Sequence, residues 1–216
     1  VRREVIAADP TYGLKGYKTS PDGYHTWTEV EIAQFEDFHG VSSKAVLGLR
    51  IMLYTGAARQ DAAAMGWQNA KGGRIQYRRH KTGIEVDLPL HPDLSAVLKH
   101  VPADQMLFVT HGKGRGYGPA SFGNWFADQC RLAGLPHCSC HGLRKAGATR
   151  LADAGATEHE LMAFLGHKTP DEARTYTKRA NRAKLADSGM EKLLHVSNPV
   201  ERLDKHRSKY LKDKGK

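Results

Sequence analysis

The stretch "HGLRKAGATRLADAGATEHELMAFLGHKTPDEARTY", His141 to Tyr176, is punctuated for three short helices in succession. The first runs from His141 to Ala154 and is closed by Gly155. Thr157 caps the second, with Glu160 three residues on to return the hydrogen bond. Gly166 closes that helix. Thr169, Pro170 and Glu172 start the third: a capping residue, a proline at the first helical position and an acid in the first turn. Tyr176 falls about two turns into it. His141, Arg144, His167 and Tyr176 are not needed to build a core, so their intervals ask for another explanation.

The rest of the chain supplies a frame for these helices. Residues 1–27, rich in Gly, Lys, Tyr and Pro, show no period and read as a linker. Thr28 with Glu31 opens the first good helix. A second begins after Ser42 or Ser43, buries Val46, Leu47, Ile51, Leu53 and Tyr54, and ends at Gly56. "RIQYRRHKTGIEVDLPL" is a β-hairpin: Ile75 and Tyr77 alternate on one arm, Ile84, Val86, Leu88 and Leu90 on the other, with Lys81-Thr82-Gly83 at the turn. Pro92 opens a short helix through Val97 and Leu98. Residues 106–109, "MLFV", form a short strand or an extended segment, and 111–118, "HGKGRGYG", a flexible basic loop. Phe122, Trp125, Phe126 and Cys130 make a helical core stripe ending near Gly134. A helix over about 179–194 carries Ala186, Met190, Leu193 and Leu194 on one side, and Asn198-Pro199 starts another. The expected class is α+β, mainly helical, with a small antiparallel sheet.

Composition narrows the function. The 216 residues are 40% hydrophobic, enough for one sizeable domain, and no run reaches the roughly 18 apolar residues of a membrane span. The N-terminus has no signal-peptide core and no initiating Met, as expected of a fragment. Three cysteines, an odd number, make no disulfide framework and suit a reducing cytoplasm. A net charge of +10 draws polyanions, of which nucleic acid is the commonest partner.

His141 and Arg144 share a face at a helix start, where free N–H groups and the helix dipole favour an anion. Arg adds a planar fork for two phosphate oxygens. Each of these residues is a weak signal alone. Together, HxxR, the Leu-Gly-His turn and a Tyr nine residues after that His resemble the signature of the tyrosine recombinases, the phage-integrase family. "LYTGAARQDAAAMGW" resembles that family's Thr-Gly-x-Arg box with its following acid, and "RRHKTGIEVDLPL" its lysine-bearing hairpin. The resemblance covers about residues 28–195. It implies the integrase catalytic-domain fold and a DNA strand transferase that needs no cofactor and no metal.

In the implied chemistry, Tyr176 attacks a phosphodiester to give a 3′-phosphotyrosine link and a free 5′-hydroxyl. Arg144 neutralises the non-bridging oxygens, His141 donates to them or serves as base for Tyr176, and His167 positions the phosphate. Lys81 protonates the leaving oxygen. The covalent link conserves the bond for transfer to a new 5′-hydroxyl. The sequence departs from the family at one point: the Arg expected three residues after Thr55 is Ala58, and Arg59 follows. Asp61 stands where the acid belongs, as a structural residue. Either Arg59 reaches the phosphate, the reading preferred here, or the clamp is missing and the chain is a disabled DNA-binding relative or variant. A type IB topoisomerase shares the chemistry, but the Leu-Gly-His turn and nine-residue gap favour a recombinase.

Arg78, Arg79, His80, Lys113, Arg115, Lys145 and Arg150 are the expected contacts to the phosphate backbone of double-stranded DNA. His137, Cys138, Cys140 and His141 suggest zinc only weakly, because Cys-x-Cys is not a usual spacing and no second ligand pair follows in sequence. Family members add a separate N-terminal core-binding domain, and the resemblance covers the catalytic domain alone. The resemblance therefore divides the chain into an interdomain linker (1–27), a catalytic domain (28–195) and a basic C-terminal tail (196–216) that docks as a helix on a neighbouring subunit or frays. It further implies a tetramer on recombining DNA, a fragment that is monomeric alone, action at the bacterial nucleoid without a membrane, and service to a mobile element.

Overall fold

The computed structural model describes Tyr12, residues 23–178 and residues 182–196. Nine α-helices and a three-stranded antiparallel sheet of order β1-β2-β3 follow one another in these residues. The expected tail and the Asn198-Pro199 helix start lie outside them.

Local chemistry sets the helix starts. α1, Glu29–His39, begins at a complete capping box between Thr28 and Glu31. α2, Lys44–Thr55, is capped by Ser43 and ends at Gly56, whose left-handed φ of 61° a side chain would strain. α3, Arg59–Ala63, begins at Ala58, which makes no side-chain cap hydrogen bond. α4, Pro92–Leu98, follows His91, whose side chain accepts from Asp93 N. α5, Pro119–Leu132, buries Phe122, Phe126 and Cys130. α6, Cys140–Asp153, is capped by Ser139. α7, Glu158–Leu165, repeats the capping box with Thr157 and Glu160 and closes at left-handed Gly166. α8, Pro170–Thr177, carries Tyr176 in its last turn. α9, Arg182–Val196, completes the described chain.

The hairpin is β2, Arg74–Arg78, with β3, Glu85–Pro89, in a register that sets Ile75 opposite Leu88 and Tyr77 opposite Val86. A two-residue strand, β1, Ala70–Lys71, adds to its outer edge. Nothing in its two residues announces it.

One core runs from Trp27 through α2 and the α5 stripe to Leu143 and Ala146 of α6. A smaller cluster of Ala148, Ala152, Leu161, Phe164, Leu165 and Ala173 joins α6, α7 and α8, with Tyr176 and Leu185 against it. Three expectations change. Trp27, grouped with the linker, is 3% exposed and donates from Nε1 to Ser139 O at 2.9 Å, so the residues just before α1 pack on the core. Residues 106–109 are not a strand. Phe108 N donates to Met65 O and the segment bends, leaving an isolated bridge between Thr110 and Gly116 and a short 3-10 turn at Gly112–Gly114. Met190, Leu193 and Leu194 of α9 are exposed, and among the described side chains of α9 only Leu185 reaches the smaller cluster.

Candidate active site

Arg144 is the centre of the arrangement. It sits one turn into α6, 5% exposed, and is held from two sides. One terminal nitrogen donates to Gly56 O at the end of α2, the other to Leu165 O at the end of α7 at 2.7 Å. Both acceptors are helix-terminal carbonyls, which carry partial negative charge and lack helical partners. Burial and the nearby Arg79 bring the Arg144 pKa down to about 10.

The same guanidinium meets His167 Nε2 at 3.0 Å. Arg only donates, so the imidazole accepts there and carries its proton on Nδ1. Nδ1 is buried without a hydrogen-bond partner. Burial and Arg144 push the His167 pKa down to about 4, against the pull of Glu172, whose Oε2 is 3.2 Å from Nε2. Tyr176 is half-buried, and burial raises its pKa while Arg144 opposes the rise. His141 is exposed at its edge, yet desolvation of the ring and the charges of Arg144, Lys145 and Lys81 lower its pKa. Its ring lies 4.8 Å from that of Tyr24.

A cleft of about 360 Å³ opens over this group, and Arg59, Asp61, Arg79, Lys81, His141 and Arg144 line it. His167 and Tyr176 do not line it and meet it through Arg144. Lys81 stands exposed on the hairpin turn. Thr82 Oγ1 anchors that turn by donating to Gly166 O at 3.1 Å.

The two arginines near position 58 separate sharply. Arg59 is exposed and folds across α5, where a Cβ on Gly123 would lie 3.2 Å from its guanidinium. Arg79 is 5% exposed and turned inward. It pairs with Asp61 Oδ2, while Asp61 Oδ1 accepts from His80 N at 2.9 Å. Its stem lies over Gly166, where a Cβ would come within 2.5 Å of Arg79 Cγ. Its Nε is buried without a hydrogen-bond partner. The alternating hairpin pattern did not reveal this inward turn.

Arg79, expected from the sequence at the DNA-facing surface, is buried at the cleft instead. The guanidinium of Arg150 grips Glu29 at 2.7 and 2.5 Å beside a separate groove lined by Leu53, Tyr54 and Leu151. Arg78, His80 and Arg115 are exposed, Arg78 beside Glu85. Lys145 is half-buried and donates to Tyr24 O at 2.7 Å. The Lys113 side chain lies outside the described atoms. No described helix is long and apolar enough to cross a membrane.

Comparison with known proteins gives the family and the fold. The family model described as "Phage integrase family" matches residues 29–182. The integrase of Mycobacterium phage D29 is 34% identical over 126 residues, 55% of this chain and 32% of the relative. That of Mycobacterium phage FRAT1 is 34% identical over 93 residues, 39% of this chain and 28% of the relative. The chain thus spans about a third or less of the length of these relatives. Among solved structures it is similar to a lambda integrase (75–356) dimer bound to a COC′ core site, with a TM-score of 0.60 at 18% identity over 71% of this chain and 59% of that one. It is also similar to XerA recombinase, with a TM-score of 0.63 at 15% identity over 78% and 65%. At such identity the likeness is one of fold.

Proposed function

Because the chain belongs to the phage integrase family, the tyrosine recombinases, and has their catalytic-domain fold, we propose that it cuts and rejoins double-stranded DNA through a 3′-phosphotyrosine link on Tyr176. Integration and excision of a mobile element is the role this serves. The observation that carries the reading is Arg144, a buried cation fixed by two backbone carbonyls between a basic cleft and Tyr176.

In this reading the scissile phosphate enters the cleft and meets Arg144, whose guanidinium His167 Nε2 holds in position at 3.0 Å. Fixed cations there stabilise the charge that grows on the non-bridging oxygens, and they need no reorganisation during the reaction. Tyr176 loses its proton to His141, which burial and the surrounding cations favour in the neutral form able to accept it. Lys81 returns a proton to the leaving 5′-oxygen. The P–O bond to that oxygen breaks as the bond to Tyr176 forms, so the chain stores the linkage for the reverse step.

The second guanidinium of the clamp is Arg79 rather than Arg59. Arg79 is the buried one, it lies close enough to Arg144 to lower its pKa, and its Nε has a hydrogen bond to give. Asp61 and Gly166 fix its two ends. Ala58 then marks a clamp relocated to the hairpin rather than lost. One of the solved structures similar to this chain is described as a lambda integrase tetramer bound to a Holliday junction; a tetramer on recombining DNA is the assembly proposed here as well.

A nicked duplex carrying the candidate crossover site tests the reading. The parent traps a protein–DNA adduct that survives denaturation, without added metal, and Tyr176→Phe does not. An adduct that persists in Tyr176→Phe removes the nucleophile assigned here. An adduct formed only after Ala58→Arg makes the native chain a disabled relative that binds DNA.

A further inference from the structure

Four side chains that the strand-transfer chemistry does not use converge beside the start of α6. His25 lies in the segment before α1, Glu31 in the first turn of α1, and His137 and Cys138 in the loop before Ser139. Their ligand atoms all lie within 4.8 Å of one another. His25 Nε2 is 2.9 Å from both Glu31 oxygens, and His137 Nε2 is 2.6 Å from Glu31 Oε1. Two imidazoles thus point ring nitrogens at one carboxylate, with a buried thiol alongside.

We propose that this cluster is a structural zinc site with ligands His25 Nε2, Glu31 Oε1, His137 Nε2 and Cys138 Sγ. One thiolate, two imidazoles and one carboxylate are a donor set that zinc takes in tetrahedral geometry. A tetrahedron with bonds of about 2.1 Å has edges of about 3.4 Å, so the atoms already stand within a small adjustment of that shape. Glu31 suits the part because its two oxygens are already divided. Oε2 accepts from Thr28 N at 2.7 Å and Thr28 Oγ1 at 2.9 Å, leaving Oε1 turned toward His137. Each Nε2–H that donates to Glu31 gives up its proton, which solvent returns to Nδ1 as the ring changes tautomer, and a nitrogen–metal bond forms at each freed Nε2 in place of the hydrogen bond. Binding also takes Cys138 as a thiolate, so the S–H bond breaks, a sulfur–metal bond forms, and the proton goes to solvent.

The Cys-x-Cys pair gave little reason to expect this, because only one of its cysteines takes part. Cys140 is the first residue of α6, and His141 faces the cleft beside Tyr24. The second pair comes instead from residues more than 100 positions upstream, brought in by Trp27 donating to Ser139 O. The metal would fasten the segment before α1 to the loop that opens α6, three residues ahead of His141.

The test uses the whole 216-residue chain and needs no DNA. Metal analysis of protein purified without chelator should find about one zinc per chain, consistent with a single four-ligand site. Cobalt titrated into the metal-free chain should give the strong visible bands of a tetrahedral ion and a near-ultraviolet thiolate charge-transfer band. Cys138→Ser should abolish the second band, and Cys140→Ser should retain both. His25→Gln changes an exposed side chain, so the fold survives it, and it should weaken cobalt binding at least about tenfold. A weak octahedral spectrum, a thiolate band that survives Cys138→Ser or disappears in Cys140→Ser, or zinc well below one per chain would overturn the site. The cluster would then be only a hydrogen-bonded His-Glu-His group. None of these outcomes touches the proposal for Tyr176.

Discussion

At the scale of single residues, the site distinguishes two neighbours that chemistry alone does not. Arg59 and Arg79 both line the cleft, but only Arg79 is buried with an unpartnered nitrogen. Removing one fixed donor from such a site costs roughly 10²–10³ in rate. Arg79→Gln should therefore slow adduct formation by about that factor, and Arg59→Gln by less than about tenfold. Single-turnover trapping of the two variants checks the order, and the reverse order would return the clamp to Arg59. Replacing a non-bridging oxygen of the scissile phosphate by methyl removes the charge that the proposed Arg79 contact would answer. That substrate should restore much of the rate to Arg79→Gln, which a merely structural loss would not allow. His167 gives a pH signature. Its pKa is about 4 in the folded chain against 6.5 ordinarily. Between those values the unfolded chain binds more protons, so stability is full above 6.5 and declines as pH falls toward 4. Melting midpoints measured across that window should depend less on pH in His167→Gln than in the parent.

At the scale of elements, caps and stops were legible because each is a local bargain between a side chain and a few backbone groups. Thr28 with Glu31, Ser43, Gly56, Thr157 with Glu160, and Gly166 all do in space what their spacing implied. β1 was not legible, since two residues pair only because β2 offers an edge. Residues 106–109 had the composition of a strand, but Phe108 is bound to Met65 across the core and no partner strand runs beside it. The inward turn of Arg79 and the meeting of His25 with His137 depend on contacts far apart in sequence. Gly142 in the first turn of α6 is such a contact: a Cβ there would collide with His25 O and with the Trp27 ring at 2.8 Å. Gly142→Ala should destabilise the fold by about 1–3 kcal/mol. It should also weaken cobalt binding although no ligand is changed. Urea melts and a cobalt titration would show this, and unchanged affinity would mean that the segment before α1 does not hold the cluster together.

At the scale of the whole molecule, the +10 charge is unevenly available. Arg150 is taken up by Glu29, whereas Arg115 stands exposed in a loop. Each phosphate contact adds about 0.9 to the slope of log affinity against log salt. Arg115→Ala should lower that slope by about one and Arg150→Ala should leave it unchanged, as anisotropy titrations of a labelled duplex at several salt concentrations would show. The composition predicted a polyanion partner without saying which cations would meet it, because ion pairing is decided by the fold.

Arg144 and Ala58 also differ in what their loss does to the fold. Arg144 joins the ends of α2 and α7 through their carbonyls, so a mutation there unties both helix ends at once. Ala58 is half-exposed at a helix start and bonds nothing through its side chain. A change at position 58 costs the fold no side-chain bond, while a change at position 144 costs it two.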